Sequence, residues 1–147
     1  MRLLFFLLFL PFALSAQVTL AGAWEGSITV GGIHSSRELP MELYLIVKGN
    51  FIEGRSYVRT PDGELVQFDL KGTFHYDHSM SLQEIKFVGD ENNDYLPKFS
   101  RQYQLVWKAD IWDAEIKGFW QEITGETFKR YRRRGRIKLK KVEDPGA

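Results

Sequence analysis

The feature that most constrains this chain is strict two-residue alternation, repeated segment after segment. From Val66 to Tyr76, the residues Val66, Phe68, Leu70, Gly72, Phe74 and Tyr76 alternate with Gln67, Asp69, Lys71, Thr73 and His75. Side chains of a strand point to opposite faces in turn, so this segment reads as a strand with one dry face and one wet face. Trp24 to Val30 has the same period, as do Leu39 to Val47, Arg101 to Lys108, and Ala114 to Trp120. Lys48-Gly49-Asn50 and Pro61-Asp62-Gly63 are turn sequences that join successive strands as antiparallel hairpins. Asp77-His78-Ser79, Asp110 to Asp113 and Thr124-Gly125-Glu126 supply further turns, Gly89 to Ser100 is the longest loop, and Met80 to Val88 is the remaining strand.

Eight segments result, starting near residues 23, 38, 51, 65, 80, 101, 114 and 127. The last runs to Leu139, with an interruption expected at Gly135. The expected fold is all-β: an eight-stranded antiparallel up-and-down β-barrel. Closure of the sheet removes the two edges that would otherwise template aggregation.

The first residues do not belong to that pattern. Met1-Arg2 is a short basic start, Leu3 to Leu14 is apolar apart from its Pro11 break, and Leu14-Ser15-Ala16 ends on a small residue. These are the three parts of a cleaved secretory signal peptide. The run is too short for a membrane-spanning helix, which needs roughly 20 residues. The expected division is residues 1–16 as leader and 17–147 as one domain, secreted or periplasmic. Cleavage removes Arg2 and no acid, so the 20 basic side chains fall to 19 against 19 acidic ones. A neutral domain has no global field to draw it to nucleic acid. Cysteine is absent, so neither disulfides nor a thioether lipid anchor are available, and packing must hold the fold in an oxidising space. The mature chain is expected to have no membrane span. An outer-membrane barrel remains the other way to use the alternation, with the apolar face turned to lipid.

Gly22-Ala23-Trp24, Gly72-Thr73-Phe74 and Gly118-Phe119-Trp120 each place a glycine two residues before a large ring, on the same strand face. Glycine there lets a sheet curl and leaves room for an aromatic from a neighbour. The first unit, directly behind the leader, resembles the Gly-x-Trp that opens the first strand of calycins, the lipocalin-like and avidin-like barrels. That resemblance implies a basic side chain from the end of the barrel laid on Trp24, with Arg130, Arg132, Arg134 and Arg136 all candidates. Only eight residues follow Leu139, too few for the helix that lipocalins pack on the barrel, which draws the likeness toward the helix-free avidins. Avidins place an asparagine where this chain has Gly26, so biotin is not the expected ligand. The closest likeness is to small secreted bacterial barrels of unassigned function. It implies an inward face carrying Trp24, Ile28, Leu43, Leu45, Phe68, Phe74, Leu82, Tyr103, Leu105, Trp107, Ile116 and Trp120.

A barrel of this size is either filled by such side chains or holds one small ligand. Glu84 shares parity with Met80 and Leu82 and so points inward with them. It is a strand-end residue near solvent, one member of an ion pair with a basic residue of the last strand, or a group that orients a polar ligand atom. The expected function is binding of a small apolar or amphipathic molecule by Trp24, Phe74, Glu84, Tyr103, Trp107 and Trp120.

The alternative is an interaction module. Lys129 to Lys141 holds nine of the 20 basic residues in thirteen positions, and Arg130, Arg132, Arg134, Arg136 and Lys138 are its candidates for an anionic glycan, lipid head group or protein. The same strip also reads as the solvated face of an amphipathic closing strand, able to pair with the acidic Asp90 to Asp94 loop. That acidic loop lacks the spacing of a calcium site. His34, His75 and His78 are scattered over turns, and no nucleophile elbow, phosphate loop or redox pair occurs. The expectation is a protein with no cofactor, no metal and no enzymatic activity.

Overall fold

A computed structural model describes residues 19–123 and 132–142. Their strands are β1 (Gly22–Thr29), β2 (Glu38–Lys48), β3 (Phe51–Arg59), β4 (Leu65–Phe74), β5 (Ser79–Val88), β6 (Arg101–Lys108), β7 (Glu115–Glu122) and β8 (Arg134–Lys141). Each pairs antiparallel with the next, and β8 returns to β1 through Ile28↔Ile137, Gly26↔Leu139 and Trp24↔Lys141. The sheet is a closed up-and-down barrel, as the alternation predicts. Gly49 and Gly63 take positive φ, at 61° and 87°, in the two expected hairpin turns.

The inward positions form one core. Trp24, Ile28, Leu43, Phe68, Leu82, Tyr103, Ile116, Trp120 and Leu139 are all buried, with Phe74 and Trp107 partly so. The outward positions in mid-strand include the exposed Glu25, Glu42, Arg55, Lys117 and Lys138.

Among the described residues the last strand spans Arg134–Lys141; the expected start near Thr127 falls in residues 124–131, which include Arg130 and lie outside the described residues. Two expectations change. Gly135 does not interrupt this strand, since it pairs with Trp120 inside the β7–β8 ladder. The glycines at Gly72 and Gly118 face neighbouring backbone and not a neighbouring ring. A Cβ on Gly118 would fall on the Gln104 carbonyl oxygen and 2.8 Å from Leu105 Cα, and one on Gly72 would fall on the Ser81 carbonyl oxygen. At these points the strands cross too closely for any side chain, which is how so small a barrel coils shut.

The β4–β5 ladder carries a bulge: Asp69 pairs with Lys86 while Leu70 pairs with Glu84, leaving Ile85 as the extra, exposed residue. The bulge resets the parity of β5. Glu84 therefore points inward below it, and Phe87 points inward above it, packing on Phe68 at 5.5 Å.

The two ends of the barrel differ. At the lower end β1 begins and the turns 49–50, 75–78 and 109–114 are short. At the upper end the segment 89–100 folds across the opening, with Leu96 and Asn93 buried. Asn93 anchors it: Oδ1 accepts from the Tyr95 and Leu96 amides at 2.9 and 3.0 Å, and Nδ2 donates to Asp62 and Glu64 at 3.1 and 2.7 Å.

Candidate functional site

The six residues expected to form an interior site separate into two clusters. Trp24, Phe74 and Trp107 lie toward the lower end; Glu84, Tyr103 and Trp120 lie toward the upper end.

In the lower cluster, Trp24 Nε1 donates to the Leu20 carbonyl at 2.9 Å. Lys141 Nζ sits 4.9 Å from the centre of its ring and donates to the carbonyls of Thr19 and Ala21. A basic side chain from the last strand does cover this ring, and it is Lys141; of the four arginine candidates, Arg130 lies outside the described residues. Because β8 runs antiparallel to β1, the start of β1 meets the end of β8, and Arg132, Arg134 and Arg136 are carried to the other end. Burial holds the Lys141 amine below its usual range. Phe74, His78 and Trp107 form an aromatic group, His78 stacking on both neighbours with ring centres 5.8 and 5.2 Å away.

In the upper cluster, Glu84 meets Arg101, a residue that shares parity with Tyr103 and Leu105 yet was not singled out in the sequence. Arg101 Nη1 lies 3.1 Å from Glu84 Oε2, and the Tyr103 hydroxyl donates to Glu84 Oε1 at 2.5 Å. The partner thus comes from β6, not from the last strand. Arg101 has a fully buried side chain, and Glu84 exposes 5% of its own. The guanidinium lies 3.8 Å from the Phe99 ring centre, 5.1 Å from Phe68 and 5.5 Å from Trp120, and Nη2 donates to the Pro97 carbonyl at 2.8 Å. One buried cation therefore ties β5, β6, β7 and the upper loop together.

Burial pushes the Glu84 carboxyl up to about 7 despite the opposing pull of Arg101 and of the Tyr103 hydrogen bond. Burial, then the neighbouring Glu84 charge, raises the Tyr103 phenol well above its ordinary range. Both Glu84 oxygens are engaged by protein groups, and Trp120 Nε1 is engaged by the Thr29 carbonyl at 2.9 Å.

Outside this core, the upper end carries an open crevice of about 460 Å³ between the 30–37 loop, the 94–99 segment and the start of β8. Arg37, Arg132, Arg133 and Arg134 line it with Tyr95 and Phe99; Asp94 is its one acid. The Arg133 guanidinium lies 4.8 Å above Phe99, so that this ring is held between Arg133 outside and Arg101 inside. Arg37 lies 5.8 Å from the Tyr95 ring. Among the described residues none of these four arginines is in a salt bridge.

The rest of the basic strip stands on the outer face. Arg136 donates to the Ser35 carbonyl at 3.2 Å, Lys138 is directly opposite Lys117, and Lys140 pairs with Asp113 and Glu115. The acidic loop pairs internally, Glu91 with Lys98 at 2.9 Å, and Asp94 reaches the arginine crevice. Among the described residues no group of three or more His, Asp or Glu side chains is placed to hold a metal ion.

Compared with known proteins, the chain matches no protein-family model, no curated protein and no solved structure.

Proposed function

We propose that this protein is a non-enzymatic, exported binding barrel that takes an amphipathic anion at the arginine-lined crevice of its upper end. The observation that carries the reading is the crevice: four arginines without a salt bridge among the described residues, set around the half-buried rings of Tyr95 and Phe99. Guanidinium groups over aromatic rings suit a planar or tetrahedral anion bonded to an apolar body. The packing of buried side chains inside the barrel supports a site at this end over one in the interior, and Trp120 forms part of the crevice wall. Charged side chains on the outer face oppose the membrane-crossing arrangement, whose apolar band faces lipid. A calycin-like relationship is supported by the closed barrel and by Lys141 on Trp24.

The test is a tryptophan-fluorescence titration with dodecyl phosphate, with dodecanol and inorganic phosphate as its two halves. Saturable quenching by dodecyl phosphate, weakened roughly tenfold in Arg133→Gln through loss of one charge-assisted contact, is the expected result. Equal affinity for dodecanol, or no change in Arg133→Gln, would overturn it.

A second reading is favoured by one contact. Lys138, in no salt bridge among the described residues, stands opposite Lys117, itself paired with Glu115 at 3.1 Å, beside the exposed Val106 and Phe119, so this face carries a cation able to meet a bound polyanion. On this reading Arg134, Arg136 and Lys138 hold an anionic glycan, and binding falls steeply with salt.

A further inference from the structure

The lower end of the barrel carries the most exposed apolar side chains of the described residues, and they sit on the tips of neighbouring turns. Tyr76, at the tip of the β4–β5 turn, is fully exposed. Ile111 and Trp112, at the tip of the β6–β7 turn, are 61% and 91% exposed, and Phe51 at the start of β3 is 68% exposed. The turns are adjacent on one rim: the Trp107 amide donates to the His78 carbonyl at 2.9 Å, and the Phe74 amide donates to the Asn50 carbonyl at 2.8 Å. Folding left these rings in water although the core is well supplied with aromatics. Such clusters mark contact surfaces.

We infer that this rim docks on a lipid bilayer, with Ile111, Trp112 and Tyr76 entering the head-group region of a zwitterionic membrane. Two observations select lipid over another occupant. The residue types are those that settle at a membrane–water boundary, an indole and a phenol flanked by an aliphatic side chain. The carboxylates of the β6–β7 tip are already matched: Lys108 lies 4.0 Å from Asp110 and 3.5 Å from Asp113, and Lys140 also holds Asp113. The tip therefore presents apolar surface with its charge cancelled, complementary to a net-neutral head-group layer rather than to a charged protein face. The tips are also preformed. Asp110 accepts from the Trp112 amide at 2.9 Å, and Asp77 accepts from the Ser79 amide at 3.0 Å, so docking orders no loop.

The test uses protein purified from the exporting cell, wild type and variant prepared alike so that any residues ahead of Thr19 are common to both. Vesicles of phosphatidylcholine, some with brominated acyl chains, are the probe. Wild type is expected to sediment with the vesicles, to lose little binding as salt rises, and to have its emission quenched by the brominated lipid. Trp112→Phe should keep binding but lose most of that quenching. Ile111→Ser with Trp112→Ser, both at exposed positions that leave the core intact, should lower partitioning by at least about tenfold. Wild type that stays in the supernatant, a double variant that binds as well as wild type, or a rim that instead holds two copies together, seen as a dimer lost in the double variant, would each overturn the inference.

Discussion

Replacing Arg101 by methionine separates the charge of the buried pair from its packing. Methionine fills a comparable volume among Phe68, Phe99 and Trp120, but leaves Glu84 without its cation. In the native barrel the Glu84 carboxyl titrates at about 7, against 4.5 for a free glutamate. Between those values the folded state holds a proton that the unfolded state has released. Stability therefore falls as pH rises from 4.5 to 7, by about 3 kcal/mol at ~1.4 kcal/mol per unit, and this group contributes no further change above 7. Without Arg101 the carboxyl is pushed higher still, because the largest influence opposing burial is gone. The decline then continues through neutrality. Below pH 7 the variant should be weaker than wild type by a constant amount, about 2 kcal/mol from the lost Pro97 hydrogen bond and ring contacts. Above pH 7 the gap should widen, by up to about 1.4 kcal/mol per unit, until the variant's own carboxyl titrates. Urea unfolding of both proteins at pH 6, 7, 8 and 9, at constant ionic strength and with equal m-values, measures the gap. A gap that is the same at pH 6 and pH 9 would show that Arg101 does not hold the Glu84 charge, and the argument would fail.

Two other substitutions examine the barrel's closure and its upper cover. Gly118→Ala drives a methyl group into the β6 backbone at Gln104 and Leu105, and should cost about 3 kcal/mol or prevent folding; soluble protein with an unchanged melting temperature would contradict the close strand crossing. Asn93→Ala removes the amide donors that join the 89–100 segment to Asp62 and Glu64 and the oxygen that accepts from the Tyr95 and Leu96 amides, and should cost about 2 kcal/mol while the Leu96 amide loses hydrogen-exchange protection; unchanged protection would mean that Asn93 is not the anchor.

The inward face was legible from alternation because parity is local. Phe68 in β4, Tyr103 in β6 and Trp120 in β7 each point where a two-residue period puts them, and Glu84 joins them despite its charge. Parity fails at Phe87, since the bulge at Ile85 is set by the pairing of Asp69 with Lys86 across the ladder. Arg101 has inward parity too, and nothing in its own neighbourhood distinguishes it from a solvated strand-end cation. Only the approach of Glu84, Phe68, Phe99 and Trp120 from other segments makes its burial sustainable. The basic last strand shows the same division: its density is plain in the sequence, but Lys140 is neutralised by Asp113 and Glu115 while Arg132, Arg133 and Arg134 meet Arg37 around a crevice.

The chain by itself determined eight strands, their antiparallel order, the tight turns at 49–50 and 61–63, and most of the residues that face inward. These follow from dihedral preferences and from a hydrophobic period that each segment carries independently. Tertiary structure alone decided that β8 closes on β1 with Lys141 over Trp24, that Arg101 completes the Glu84–Tyr103 cluster beneath the 89–100 segment, and that Tyr76 and Trp112 stand together on one exposed rim. A side chain's period states which way it points, but its partner and its burial depend on what closure brings to meet it.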